Sequence, residues 1–236
     1  MDKETEEQVA ATNNNVVLLT GIIKCEVVQN NDLMGEGHSS SMLAVNRLSN
    51  MQDMIPIIFP DELINLHKIA EGSQLVIKGQ YRSYNKLVGG KSKLMLAVVA
   101  REVLDASPVD NPNIIELSGY ICKPPVYRTT PFNREIADIL LAVNRVFSKS
   151  DYIPAIAWGR NARAVQEMTV GEKLNISGRI QSREYQKRLD DGTTETRQAY
   201  EVSINQLSKE PLPSQINPDE TPVANQDVLD ALGIAE

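Results

Sequence analysis

The chain concentrates one kind of chemistry in its second half. Residues 114–209 hold Tyr120, Tyr127, Phe132, Phe147, Tyr152, Trp158, Tyr185 and Tyr200, interleaved with fourteen lysines and arginines. Three short runs set an aromatic ring beside a cation: Tyr127-Arg128, Trp158-Gly159-Arg160 and Arg183-Glu184-Tyr185-x-Lys187. A ring face stacks on a nucleobase and a cation tracks a phosphate backbone, the two components of a sequence-tolerant single-strand surface. The candidate contacts are Tyr127, Arg128, Arg145, Tyr152, Trp158, Arg160, Arg179, Arg183, Tyr185, Lys187 and Arg197. In the first half they are Arg47, Arg82, Tyr84 and Lys86. Small barrels also bury aromatics, so alternation has to separate the two uses. It sets Trp158 on one strand face with Tyr152, Pro154 and Ile156, opposite Ile153, Ala155 and Ala157. Tyr120 and Tyr200 read as core.

Catalysis is poorly served. The two histidines, His38 and His67, lack metal-ligand neighbours. Gly35-Glu36-Gly37 lacks the Lys-Ser/Thr that completes a phosphate-cradling loop. Asp53 and Asp151 match one another but each precedes a strand beside proline, and both read as turn residues. No catalytic residue, metal site or cofactor is expected. Cys25 and Cys122 follow the first strand of each half without metal spacing and are expected to be buried, reduced thiols.

A repeat organises these residues. Leu43-Ala-Val-Asn-Arg47, five residues, then Asp53-x-Ile55-Pro56 recurs 98 residues on as Leu141-Ala-Val-Asn-Arg145, five residues, then Asp151-x-Ile153-Pro154. Gly21 pairs with Gly119, Gly72 with Gly171, Gly79 with Gly178, and Glu102-Val103 with Glu201-Val202. A period of this length is a whole small domain. Short alternating runs rich in Val, Ile and Leu predict strands near 16–28, 41–47, 54–59, 74–84 and 93–104. In the second copy they fall near 114–122, 137–146, 152–158, 173–186 and 197–207. A helix is expected at Asp61 to Ile69 and at Asn161 to Gln166, and hairpins turn at Gly89-Gly90 and Asp190-Asp191-Gly192. Five strands with a helix between the third and fourth is the order of an OB-fold, so the expected class is all-β with two tandem five-stranded barrels.

The expected domains are a disordered acidic N-terminus (1–15), a degenerate first barrel (16–106), a linker (107–113), a second, main binding barrel (114–209) and an acidic, proline-containing disordered tail (210–236). The tail's last stretch, Asn225 to Ile234, reads either as a short amphipathic helix or as solvated chain. The formal net charge of -7 argues against nucleic acid until it is divided. Residues 1–15 carry -3, 16–107 are neutral, 114–209 carry +3, and 210–236 hold six acids and no base. No run approaches a membrane span or a secretory signal, and a cytoplasmic, nucleoid-associated protein is expected.

Comparing the copies shows where function diverges. Tyr152 corresponds to Met54, Trp158 to Pro60, and Tyr185 to Lys86. The shared Asn46/Asn144 and Arg47/Arg145 have two readings: a structural one, in folding or a barrel-to-barrel contact, and one in function.

The second copy resembles the bacterial single-stranded-DNA-binding protein family. The resemblance rests on Asn113-Ile-Ile-Glu-Leu-Ser-Gly119 running through Pro124-Pro125 to Arg128, on Asp151-Tyr152 through Trp158-Gly159-Arg160-Asn-Ala162, and on Val170-Gly171 through Gly178-Arg179 to Arg183-Glu-Tyr185. It covers most of 113–207 and, through the repeat, 16–105 more weakly. It implies that Tyr152, Trp158 and Tyr185 face DNA, and that the chain protects single strands in replication, recombination or repair. Members with one barrel form tetramers, so a two-barrel chain would give four barrels as a homodimer. The acidic end here lacks the family's terminal Pro-Phe, which in relatives docks repair proteins. The alternative is a barrel scaffold that binds a replication or recombination protein and touches DNA weakly.

Overall fold

The computed structural model describes residues 14–30, 35–47, 49, 51–105, 113–145, 149–188, 192–212 and 216. The expected acidic N-terminus, most of the linker, and the tail beyond Ile216 with its Asn225–Ile234 stretch lie outside these residues, apart from a few at their margins.

The first barrel runs β1 (Asn15–Ile23), β2 (Val28–Gln29), β3 (His38–Asn46), β4 (Gln52–Pro60), α1 (Asp61–His67), β5 (Gln74–Val88) and β6 (Lys91–Asp105). The second repeats it as β7 (Asn113–Ile121), β8 (Val126–Thr129), β9 (Glu135–Asn144), β10 (Ser150–Trp158), α2 (Arg160–Gln166), β11 (Lys173–Arg188) and β12 (Thr194–Ser208). The strand predicted over 16–28 is two elements, because the chain leaves the ladder after Ile23 and pairs again only at Val28–Gln29 with Ser39–Ser40. Cys25 lies in that gap and is exposed, and Cys122 is half-buried, so neither is the buried thiol expected.

Each barrel closes on strict alternation. In β10, Ile153 and Ala157 are fully buried while Tyr152 and Trp158 face out. Closure needs a sharp bend in the fourth long strand, and glycine supplies it. The β5–β6 register shifts between Lys78 and Gly79, and the β11–β12 register between Ser177 and Gly178. A Cβ on Gly178 would lie 2.2 Å from the Ser203 carbonyl oxygen, and one on Gly79 would lie 2.3 Å from that of Val99. Gly178→Ala is therefore expected to cost about 1–3 kcal/mol, measured as a lower urea midpoint of unfolding.

The ladders also correct one repeat pair. Ala155 pairs with Val202 where Ile57 pairs with Val98. Gly178 pairs with Ile204 where Gly79 pairs with Ala100. The β11–β12 hairpin is longer than its counterpart, so beyond its turn the offset grows. Glu201 is the structural counterpart of Ala97, and its sequence match with Glu102 is coincidental.

The two barrels meet about a pseudo-two-fold. β1 and β7 pair antiparallel with the equivalent residues Val17 and Ile115 facing one another, flanked by Asn15 opposite Leu117 and Leu19 opposite Asn113. That contact joins all the described strands into one sheet order, β2-β3-β4-β6-β5-β1-β7-β11-β12-β10-β9-β8. Past the seam β5 and β11 each have an open edge, where unpaired backbone groups would be costly. Asn15 bonds both the N–H and the carbonyl of Tyr81, and Asn113 does the same for Ile180.

Beyond these caps each barrel inserts an aspartate into the other. Asp53 accepts from the Ser182 N–H at 2.7 Å, and Asp151 from the Ser83 N–H at 2.6 Å. In return, Ser182 Oγ accepts the Met54 N–H and Ser83 Oγ accepts the Tyr152 N–H. Arg47 grips Asp53 and the Ser182 carbonyl; Arg145 grips Asp151 and the Ser83 carbonyl. Arg179 adds a bond to Asp53 at 3.1 Å and Arg82 one to Asp151 at 2.8 Å. The repeated Arg-x5-Asp is thus an inter-barrel clasp, and the two aspartates are not turn residues. Ile216 is buried at this seam against Leu18, Val76 and Ile114.

Candidate nucleic-acid interface

In the second barrel the sheet register puts three strands' outward side chains on one surface. Ala155, Val202 and Ile180 share a row and point into the core. Their neighbours therefore point out: Tyr152, Pro154, Ile156 and Trp158 on β10, Glu201 and Ser203 on β12, and Arg179, Gln181, Arg183 and Tyr185 on β11. Tyr152 and Trp158 are six residues apart, roughly 20 Å along the strand. Tyr152, Trp158 and Tyr185 are 47%, 38% and 36% exposed, high values for large aromatics on a regular sheet.

Cations border this surface. Arg183 lies with its guanidinium carbon 5.7 Å from the Tyr185 ring centre and donates through Nε to Glu201 at 3.2 Å. Arg160 opens α2 directly after Trp158, helped by Gly159, whose φ of 51° lets the chain turn from strand to helix. Arg160 and Lys187 are exposed, with no ion pair among the described residues. Arg197, across from Tyr185, is held by Glu195 at 2.7 Å, and that hydrogen bond raises its pKa. Arg128 pairs with Asp138 at 2.9 Å.

Other candidates are placed elsewhere. Arg47, Arg82, Arg145 and Arg179 are drawn into the clasp, where their guanidinium groups neutralise Asp53 and Asp151. Burial lowers the Arg179 pKa, partly offset by Asp53, while the Asp53 hydrogen bond raises that of Arg47. Arg47 and Arg145 each also donate to a backbone carbonyl of the other barrel. Tyr127 packs its ring against the core and donates its hydroxyl to Glu135 at 2.6 Å, which raises the phenol's pKa. The residue is half-buried.

In the first barrel part of the same surface is an apolar cluster. Tyr84, the counterpart of Arg183, packs over Ile58, Ala97 and Val99. Tyr81 is fully buried, and desolvation raises its phenol's pKa. Lys86 stands on the hairpin, beside the exposed Leu87 and Val88.

A groove of about 630 Å³ opens at the seam, lined by Val16, Gln80, Arg101, Leu117, Lys173 and Ile216 among others. Tyr120, read as core from the sequence, is 41% exposed and Phe132 is 88% exposed; neither they nor Tyr152, Trp158 and Tyr185 line the groove. Among the described residues no group of three or more His, Cys, Asp or Glu side chains could hold a metal ion, and no helix is long and apolar enough to cross a membrane.

The model of the Single-strand binding protein family matches residues 112–209, the whole of the second barrel. A Single-stranded DNA-binding protein of Clostridium tetani is 38% identical over 88 residues, covering 34% of this chain and 59% of that protein. Single-stranded DNA-binding protein 1 of Staphylococcus aureus is 36% identical over 81 residues, covering 31% and 48%. The match thus spans between about half and three fifths of these curated relatives. The crystal structure of wild-type single-stranded DNA binding protein from Thermus aquaticus superposes with a TM-score of 0.62 at 17% identity, covering 88% of this chain and 98% of that one. That likeness takes in both barrels and shows a shared fold.

Sequence reading missed two polar residues of this surface. Gln181 and Glu201 are each only 8% exposed although they belong to the outward row. The repeat pairing set Glu201 against Glu102, so it was not compared with its structural counterpart Ala97.

Proposed function

We propose that the chain binds single-stranded DNA without strong sequence preference, through the outer face of the second barrel, and protects it during replication, recombination or repair. The observation that carries this reading is the exposure of Tyr152, Trp158 and Tyr185 on one sheet surface beside Arg160, Arg183 and Lys187. Stacking on each ring would contribute about 1–3 kcal/mol, and the cations would make binding fall steeply with salt. Arg128 and Arg197 sit at the edges, where a phosphate would have to compete with Asp138 and Glu195. The first barrel serves mainly as support. The chain acts without catalysis, in the cytoplasm with the nucleoid, and two copies associate to present four barrels. Repair or replication proteins remain candidate partners of the acidic tail.

The test uses the single tryptophan. Oligo-dT is expected to quench Trp158 fluorescence at low salt, with recovery as salt is raised. Unchanged fluorescence with no mobility shift would refute the proposal. Arg160→Glu with Lys187→Glu separates it from the scaffold reading: DNA binding falls by an order of magnitude or more if these cations meet phosphates, whereas a scaffold tolerates the change. Mass measurement of the free protein reports the dimer.

A further inference from the structure

The first barrel's Asp53 and the second barrel's Tyr185 are joined by an unbroken polar chain. Asp53 Oδ2 accepts from Arg179 Nη1 at 3.1 Å. Arg179 Nη2 donates to Gln181 Oε1 at 3.0 Å, and Gln181 Nε2 donates to Glu201 Oε1 at 2.7 Å. The same Glu201 oxygen accepts Arg183 Nε at 3.2 Å, and Arg183 lies over Tyr185. Residues 179, 181, 183 and 185 alternate onto one face of β11, and Glu201 stands directly opposite Gln181. The regularity of the strand alone brings these side chains into line.

Two features argue that this is more than surface solvation. Glu201 is a carboxylate on a nearly buried residue, which is costly unless it is held by donors. Its donors are Gln181 and Arg183, so whatever fixes Gln181 also fixes where Arg183 is tied. Gln181 suits its place because it must accept from one neighbour and donate to the other; a carboxylate would repel Glu201 and an ammonium would repel Arg179. The second feature is the first barrel, where the structural counterparts of Glu201 and Arg183 are Ala97 and Tyr84, packed apolar against Ile58. A barrel folds well without this buried charge, and it occurs in the barrel with exposed stacking residues.

We propose that Gln181 and Glu201 are positioning residues: they hold Arg183 against one face of Tyr185, keep the other face ready for a base, and make that arrangement depend on Asp53 of the first barrel. This rests on the reading that Tyr185 stacks on DNA. It gives the first barrel a part in binding without requiring it to touch DNA. Ordering Arg183 before DNA arrives removes part of the entropy cost of binding.

The experiment is a double-mutant cycle. Gln181→Met keeps the volume and deletes both bonds, and oligo-dT affinity is followed by Trp158 quenching in the wild-type and Tyr185→Leu backgrounds. Gln181→Met is expected to weaken binding about fivefold in the first background and less than twofold in the second, since interacting residues are non-additive. Asp53→Asn should show the same disappearance of its effect. Equal losses in both backgrounds, or no loss in the first, would overturn the relay. If Gln181→Met melts well below wild type, Glu201→Gln, which keeps the shape, takes its place in the cycle. In the unbound protein the Arg183 Nε–H signal is expected to be protected from solvent exchange and to lose protection in either variant; equal protection throughout also overturns the relay. Absent wild-type quenching points to failure of the binding reading, and wild-type binding without coupling points to failure of the relay alone.

Discussion

Asp151→Ala is expected to lower the unfolding free energy by about 3–5 kcal/mol, seen as a large drop in the urea midpoint. Asp151 is fully buried at the seam and accepts from Arg145, Arg82 and the Ser83 N–H. Its removal leaves two mostly covered guanidinium groups facing each other, and a strand-edge N–H without a partner. The arginines cannot simply swing away, since Arg145 also holds the Ser83 carbonyl across the seam. The loss is a large share of a stability that for domains of this kind is about 5–15 kcal/mol. Asp151→Asn, which keeps an acceptor and drops the charge, should fall between alanine and wild type. Asp53→Ala should lose less, because its Arg179 is 33% exposed where Arg82 is 12% exposed and water can replace part of the interaction. A cost below about 1 kcal/mol for Asp151→Ala would mean that the clasp is energetically idle.

Joint replacement of Tyr152 and Trp158 by alanine should do the opposite: little to stability and much to binding. Both rings face out from β10, so the core loses nothing when they go, and exposed substitutions usually stay within about 0.5 kcal/mol. If each stacks on a base, the pair contributes roughly 2–6 kcal/mol, and oligo-dT affinity should fall at least about 30-fold. The tryptophan reporter is lost with the variant, so anisotropy of a labelled oligo-dT is the measurement. Tyr84→Ala in the first barrel is the matching control. Its ring covers Ile58, Ala97 and Val99, so stability should fall while affinity holds. Unchanged affinity in the Tyr152/Trp158 variant would move the binding surface away from β10.

The two effects separate along a line that alternation could draw only in part. Period-two patterning placed Trp158 and Tyr152 opposite Ile153 and Ala157 because the pleat enforces it within one strand. It says nothing about which outward residues meet another barrel. Arg145 and Arg183 look alike in sequence, each a strand arginine near aromatics, yet one closes on a buried aspartate and the other lies over Tyr185. Tyr127 is similar: its hydroxyl donates to Glu135, a partner that period-two patterning does not reveal.

By itself the sequence determined the duplicated five-strand order, the glycines at the bends, and the aromatic divergence of the second copy from the first. Those features are local: they depend on side-chain period, on backbone strain at glycine, and on residue type at matched positions. Only the tertiary structure decided that the repeated Arg-x5-Asp clasps the two barrels together, and that Glu201 answers to Ala97 and not to Glu102. Both depend on register between segments far apart in the chain, and a longer hairpin shifts that register without leaving a mark in the local pattern.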